Sequence, residues 1–269
     1  MLLAIDVGNT QTVIGLFGRD DSHDGAHRAG TGAERELLDH WRISTIASRT
    51  SDELALLVQE FLGFHGFSFD EDVDGLALCS SVPSITSGIR EMSRRYFGLE
   101  ALVIEPGVKT GMPILYENPK EVGGDRVADA LAAYDLYGGP TVVVDFGTAT
   151  TLEAISPSGE YLGGAILPGV DISLEALFSH AAALRKVELV EPRSVIGKNT
   201  IESIQSGALY GFAAQVDGIA DRMVEEIGPS TVVATGGLAA VIAPYSRTIT
   251  EHEPWLTLHG LRLVFDRNR

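Results

Sequence analysis

Two distant stretches of this chain share one pattern. Ala4-Ile5-Asp6-Val7-Gly8-Asn9-Thr10-Gln11-Thr12 is echoed by Val143-Val144-Asp145-Phe146-Gly147-Thr148-Ala149-Thr150-Thr151. Each runs from apolar strand through Asp, an apolar residue and Gly into small hydroxyl or amide residues, then returns to strand. One such stretch is an ordinary hairpin in which Asp and Gly serve the turn. Two copies, each near the start of a half, indicate a duplicated domain. The length of 269 residues holds two modest domains. Strands alternating with helices argue for an α/β fold.

Strands are expected at 2–5, 12–17, 41–45, 74–80, 101–104, 141–144, 150–155 and 231–234. Helices are expected from 51 to about 61, then at 85–96, 126–134, 173–182 and 200–227. The Gly/Pro-punctuated stretch 107–119 is the best junction. It divides the chain into an N-terminal domain, 1–115, and a C-terminal domain, 116–269. Residues 18–34 are polar and aperiodic and suggest an exposed hairpin loop. His23 and His27 lie there beside Asp20, Asp21 and Asp24, but a solvated loop is favoured over a metal site.

The formal charge of −17 makes nucleic acid a poor partner. Any anion site must be built locally, from backbone N–H groups or a few placed cations. The single cysteine, Cys79, forbids an intramolecular disulfide and suits a small core position at a strand end in a reducing compartment. The short apolar start lacks the positive region of a signal peptide, and no stretch approaches a membrane span. A soluble, cytoplasmic protein without membrane partners is expected.

The paired turns suit a nucleotide. Glycine admits close approach of backbone N–H groups to phosphate, and Thr and Asn add neutral donors. An ionised Asp cannot donate to phosphate and must act through a shared cation. Gly197-Lys198-Asn199-Thr200 is not a P-loop, because the glycine required five positions before Gly197 is missing. Gly123-Gly124-Asp125 precedes an apolar-periodic helix, so Asp125 is either an N-cap or a catalytic carboxylate. Arg126 is either a surface ion-pair partner or a fork for an anion. Asp129 follows one helical turn later, on the same face.

The ordered set Asp6-Val7-Gly8-Asn9-Thr10, Gly123-Gly124-Asp125-Arg126, Asp145-Phe146-Gly147-Thr148-Ala149-Thr150-Thr151, Gly163-Gly164-Ala165-Ile166-Leu167-Pro168-Gly169, Gly197-Lys198-Asn199-Thr200 and Ala234-Thr235-Gly236-Gly237 resembles the type III pantothenate kinases over nearly the whole chain. The resemblance implies an α/β fold of two ribonuclease-H-like, actin-like ATPase domains with a nucleotide cleft between them. It implies ATP-dependent phosphorylation of pantothenate to 4′-phosphopantothenate, the entry to coenzyme A. It further implies a cytoplasmic homodimer needing potassium or ammonium, with a divalent cation, magnesium, accompanying the nucleotide.

By this resemblance Asp6, Val7, Gly8, Asn9, Thr10, Gln11, Thr12 and Val13 form the first phosphate loop, and Thr148 contacts ATP in the second. Asp145 is the monovalent-cation ligand. Gly123, Gly124, Asp125 and Arg126 form the pantothenate loop, with Asp125 as general base. Tyr116 and Thr200 complete the substrate contacts, although Tyr116 also suits plain packing and Thr200 also suits a cap for the helix from Ile201. Thr235-Gly236-Gly237 resembles the loop near adenosine. The chain departs from the family at Leu184-Arg185, where Leu-Pro is frequent, and in its longer 18–34 loop. Rival readings are an actin-like kinase for another hydroxylated substrate and an ATP-binding regulator without transfer activity.

Overall fold

The computed structural model describes residues 1–18, 32–34, 36–181 and 184–269. Most of the expected 18–34 loop, with its Asp and His residues, lies outside the described residues. Contacts divide the chain into two compact units. The first holds Met1–Met112, Glu117–Ala132 and Trp255–Arg269; the second holds Pro113–Tyr116 and Ala133–Pro254. The units interleave along the chain.

The first unit contains β1 (Leu2–Val7), β2 (Gln11–Phe17), β3 (Leu37–Ser44), α1 (Ser51–Gly63), α2 (Phe69–Asp72), β4 (Gly75–Ser80), α3 (Pro83–Met92), β5 (Leu102–Val103) and the opening turns of α4 (Gly124–Tyr137). Its sheet order is β3-β2-β1-β4-β5. β1 is antiparallel to β2 and parallel to β4, which is parallel to β5. Central β1 is almost continuously buried, as a strand covered on both faces must be. Leu3, Ile5 and Val7 pack in one cluster with Leu54, Val58 and Leu62 of α1 and with Ile85 and Ile89 of α3. The Thr50 side chain caps α1 reciprocally with Glu53, so the cap precedes the expected helix start. The helix expected at 85–96 is α-helical only to Met92; a π-helical turn, Ser93–Phe97, follows and ends at Gly98 with φ +65°.

The second unit contains β6 (Thr141–Phe146), β7 (Ala149–Ile155), β8 (Tyr161–Pro168), α5 (Val170–His180), α6 (Thr200–Ile227), β9 (Thr231–Thr235), α7 (Ala239–Ile242) and β10 (Glu251–His252). The order β10-β9-β6-β7-β8 repeats the first sheet strand for strand, β6 standing for β1 and β9 for β4. Directions repeat as well: β6 is antiparallel to β7 and parallel to β9, and β9 is parallel to β10. The echo in sequence is thus a duplicated topology. Val142, Val144 and Phe146 pack with Leu209, Phe212, Ala213 and Val216 of α6.

Beyond the short α2, α7 and β10, two long elements were not expected from sequence, β8 and the terminal helix α8 (Leu256–Asn268). β8 contains Gly163-Gly164, a poor strand pair. α8 contains Gly260, where a Cβ would stand 2.1 Å from the Ala128 carbonyl oxygen of α4. Gly15 and Gly75 leave room on the sheet for Leu258 and Phe265, since a Cβ would lie 2.7 Å and 2.2 Å from those side chains. At Gly260 backbone proximity, rather than helix propensity, decides the residue.

Candidate active site

The first echo turn is braced from three directions in its own unit. Gly8 N–H donates to the Gln11 carbonyl at 3.0 Å and closes the hairpin. The Thr45 hydroxyl donates to the Gly8 carbonyl at 2.8 Å, while Thr45 N–H donates to the Thr10 carbonyl at 2.9 Å. Ser81 N–H donates to the Val7 carbonyl at 3.0 Å. Thr12 is buried with its hydroxyl 2.8 Å from that of Thr45, and Val13 is half-buried. This bracing leaves Asn9, Thr10 and Gln11 exposed at the tip. Sequence reasoning missed Thr45 and Ser81, whose small hydroxyl side chains at strand ends were the available signal.

Asp6, next to last in β1, lies directly opposite Cys79 of parallel β4. The Cys79 thiol donates to Asp6 Oδ1 at 3.2 Å. Desolvation raises the Asp6 carboxyl to about 7; the thiol bond partly offsets this, and the charge of Asp125 adds to it. Asp6 and Asp125 are thus electrostatically coupled within one unit. Burial and the neighbouring Asp6 and Asp125 charges push the Cys79 thiol up, which suits a hydrogen-bond donor rather than a thiolate.

Asp125 is not the N-cap of α4. The helix begins at Gly124, and Val127 N–H donates to the Gly123 carbonyl at 3.1 Å, placing the cap at Gly123. Asp125 lies in the first turn, favoured by the helix dipole, and its Oδ1 accepts from Arg126 N–H at 2.8 Å. Both glycines before it bear on its placement. A Cβ at Gly123 would stand 2.3 Å from Asp125 Oδ1, and one at Gly124 would stand 2.8 Å from the Ile104 carbonyl oxygen. Arg126 is half-buried beside Asp125, and Asp129 is buried one turn further on.

The second unit carries the second turn. It spans residues 147–148, whereas the first spans 8–10, so the echo loses one residue after the glycine. In register Thr150 therefore matches Thr12, with Phe146↔Thr150 corresponding to Val7↔Thr12. Gly147 N–H donates to the Ala149 carbonyl at 3.0 Å, and Thr148 is exposed at the tip. Asp145 pairs in register with Thr235 at the end of β9. Gly236 follows at φ +93°, and a Cβ there would lie 2.2 Å from Asp145 Oδ1. Gly169 also approaches the turn, donating from N–H to the Thr148 carbonyl at 3.2 Å. Asp145, Thr148, Gly169, Thr235 and Gly236 therefore converge.

Tyr116 is half-buried, its ring centroid 6.3 Å from that of Tyr161. Thr200 is exposed at the first position of α6, but the cap is Asn199, whose side chain accepts from Glu202 N–H at 2.9 Å. The capping alternative for Thr200 is thereby removed. Among the described residues, no three His, Cys, Asp or Glu side chains form a metal-holding group. A cation at these turns would need carbonyl, water or phosphate oxygens besides a carboxylate.

Residues 2–222 match the family described as type III pantothenate kinase. A Streptomyces griseus protein named type III pantothenate kinase is 56% identical over 276 residues, covering 100% of this chain and 98% of the relative. A Thermobifida fusca protein of the same name is 54% identical over 273 residues and covers all of both chains. Among solved structures, a Baf family transcriptional activator from Campylobacter jejuni aligns with TM-score 0.56 at 18% identity, over 99% of this chain and 98% of that one. A polyphosphate/ATP-glucomannokinase from Arthrobacter aligns with TM-score 0.50 at 12% identity, over 100% and 99%. At such identities the structural likenesses carry the fold alone, which is that of the actin-like ATPases and sugar kinases.

Proposed function

The chain belongs to the type III pantothenate kinase family, and from that premise we propose how its residues carry the transfer of the ATP γ-phosphoryl group to pantothenate. The reaction gives ADP and 4′-phosphopantothenate, the first step toward coenzyme A. The observation that carries the residue assignment is Asp125, set in the first turn of α4 behind Gly123 and Gly124 and coupled to Asp6 of the first turn.

The primary hydroxyl of pantothenate attacks the γ-phosphorus, and the bond from that phosphorus to the β-phosphate bridging oxygen breaks. Asp125 accepts the hydroxyl proton, and ADP departs with the bond's electron pair. Because the transition state is loose, alignment contributes as much as basicity. Arg126 offers a fork to the substrate carboxylate or to the transferring phosphoryl group. Gly123, Gly124, Tyr116 and Thr200 supply the remaining pantothenate contacts. Asp6, Val7, Gly8, Asn9, Thr10, Gln11, Thr12 and Val13 hold ATP phosphates, joined by Thr148.

The donor sets fit the implied cations. The Asp145 carboxylate lies against Gly147 and Gly236, where added Cβ atoms would stand 3.3 Å and 2.2 Å from its oxygens. With carbonyl, water or phosphate oxygens beside it, that carboxylate would hold potassium or ammonium. Asp6 would address the nucleotide through magnesium, which supplies neutralisation of phosphate charge. Cytoplasmic location and a homodimer complete the proposal. Exposed Ile172 and Leu177 of α5 support a protein-covered face. No helix of the described residues is long and apolar enough to cross a membrane, and the charge of −17 disfavours nucleic acid.

ADP release, measured with pantothenate and with a panel of sugars and short-chain acids, tests this function. Release is expected with pantothenate only, and it should collapse when potassium and ammonium are omitted. Release with a sugar instead, or pantothenate-independent release, contradicts the substrate assignment; indifference to monovalent salt contradicts the role of Asp145. Gly236→Ala should raise the KM for ATP by about tenfold or more, because an unfavourable positive φ adds to collision with Asp145. An unchanged KM would contradict the placement of the nucleotide at this turn.

A further inference from the structure

We propose that Tyr161 is a positioning residue that sets the ring of Tyr116, and that buried Glu153 fixes Tyr161 in turn. The inference rests on the reading of Tyr116 as a pantothenate contact, and all of its residues lie in the second unit. Residues 113–116 are tied to the start of β8 at one place. Tyr161 N–H donates to the Pro113 carbonyl and Leu115 N–H donates to the Tyr161 carbonyl, both at 2.8 Å. Ile114 and Tyr161 thus form a parallel bridge.

The side chains continue what the backbone begins. The Tyr116 and Tyr161 rings meet edge to face, at 6.3 Å between centroids and 62° between planes. Gly163, at φ +127°, adds bare backbone near the Tyr116 ring, since a Cβ there would stand 3.5 Å away. Tyr116 is therefore held by Tyr161 while remaining only half-buried, with part of its ring available to a ligand.

Tyr161 is fully buried, and its hydroxyl donates to Glu153, which is only 1% exposed. A phenylalanine at 161 with an apolar residue at 153 would fill the same space with no carboxylate to desolvate. The buried Tyr–Glu hydrogen bond adds orientation, fixing the ring that Tyr116 leans on. Glu153 lies opposite Gly164 of β8, where a Cβ would come within 2.6 Å of Glu153 Oε2. The glycine pair that makes β8 a weak strand in sequence has two reasons in the fold: Gly163 takes φ +127° beside the Tyr116 ring, and a Cβ at Gly164 would stand 2.0 Å from the Leu152 carbonyl oxygen and 2.6 Å from Glu153 Oε2.

Steady-state kinetics on the full-length protein, with thermal melting, test the inference using Tyr161→Leu, Tyr161→Phe, Tyr116→Ala and Val216→Ala. Losing the edge-to-face partner in Tyr161→Leu should raise the KM for pantothenate by about tenfold, and losing only the hydroxyl in Tyr161→Phe by about threefold. In both, kcat and the KM for ATP should stay within about twofold of wild type. Val216→Ala, in the α6 core, should lower the melting temperature without moving either KM, separating positioning from general loosening. If Tyr116→Ala raises the pantothenate KM and the Tyr161 variants do not, the inference is overturned while the contact reading stands. If Tyr116→Ala leaves that KM unchanged, the contact reading fails and takes the inference with it. Should Tyr161→Leu not fold, an unchanged KM in Tyr161→Phe overturns the inference alone.

Discussion

Asp125→Asn is expected to leave ATP binding intact and to lower kcat by about 10²–10⁴-fold, the usual contribution of a positioned general base. The substitution is nearly isosteric. Its amide oxygen can still accept from Arg126 N–H, as Asp125 Oδ1 does at 2.8 Å. Gly123 and Gly124 remain in place, so the first turn of α4 keeps its course against the Ile104 carbonyl. What is lost is the proton acceptor, together with about 0.3–1 kcal/mol of favourable charge at a helix N-terminus. Calorimetric titration with ATP and an ADP-release assay separate the two properties. Undiminished turnover would remove Asp125 from the chemistry and leave it a helix-terminal charge.

Asp6→Asn should stabilise the ligand-free protein above neutral pH while abolishing most ATP use. Desolvation raises the Asp6 carboxyl from 3.8 to about 7, with the Cys79 thiol bond lowering it and the Asp125 charge raising it. Between those values the unfolded chain has released a proton that the folded chain retains. The folded state then binds more protons, so this group lowers stability as pH rises from about 4 to about 7, with no further change above. Asparagine carries no charge to desolvate. Its advantage should be absent near pH 4 and should reach an upper bound of about 4 kcal/mol above pH 7. Urea unfolding of both proteins at pH 5 and pH 8 measures the difference, and a variant less stable than wild type at pH 8 would contradict it. Such a trade of stability for activity is common where a site buries a charge for a ligand to neutralise.

The duplication was legible because the constraint on each turn is local. An aspartate, an apolar residue and a glycine at a strand end, met twice, mark the duplication, and the sheet order repeats with them. The one-residue difference between the turns was not legible, since only strand register shows that Thr150 rather than Thr151 answers Thr12. Gly260 and Gly163-Gly164 hid α8 and β8 for a common reason. In isolation each glycine weakens its element, and only the folded chain reveals the Ala128 carbonyl at Gly260, the positive φ at Gly163, and the Leu152 carbonyl and Glu153 carboxylate at Gly164. Cys79 occupies the expected buried strand end, but its bond to Asp6 depends on pairing between strands 73 positions apart. Thr45 and Ser81 were invisible as braces for the same reason. The assignment of Asp125 as base came from resemblance; the structure adds that Gly123, not Asp125, caps the helix.

A co-crystal structure with pantothenate and a non-hydrolysable ATP analogue tests the proposed chemistry at the reacting atom. The expected result is a hydrogen bond from the primary hydroxyl of pantothenate to the Asp125 carboxylate, with the γ-phosphate analogue in line behind the hydroxyl oxygen. A hydroxyl turned away from Asp125, with another side chain positioned to take its proton, would contradict it.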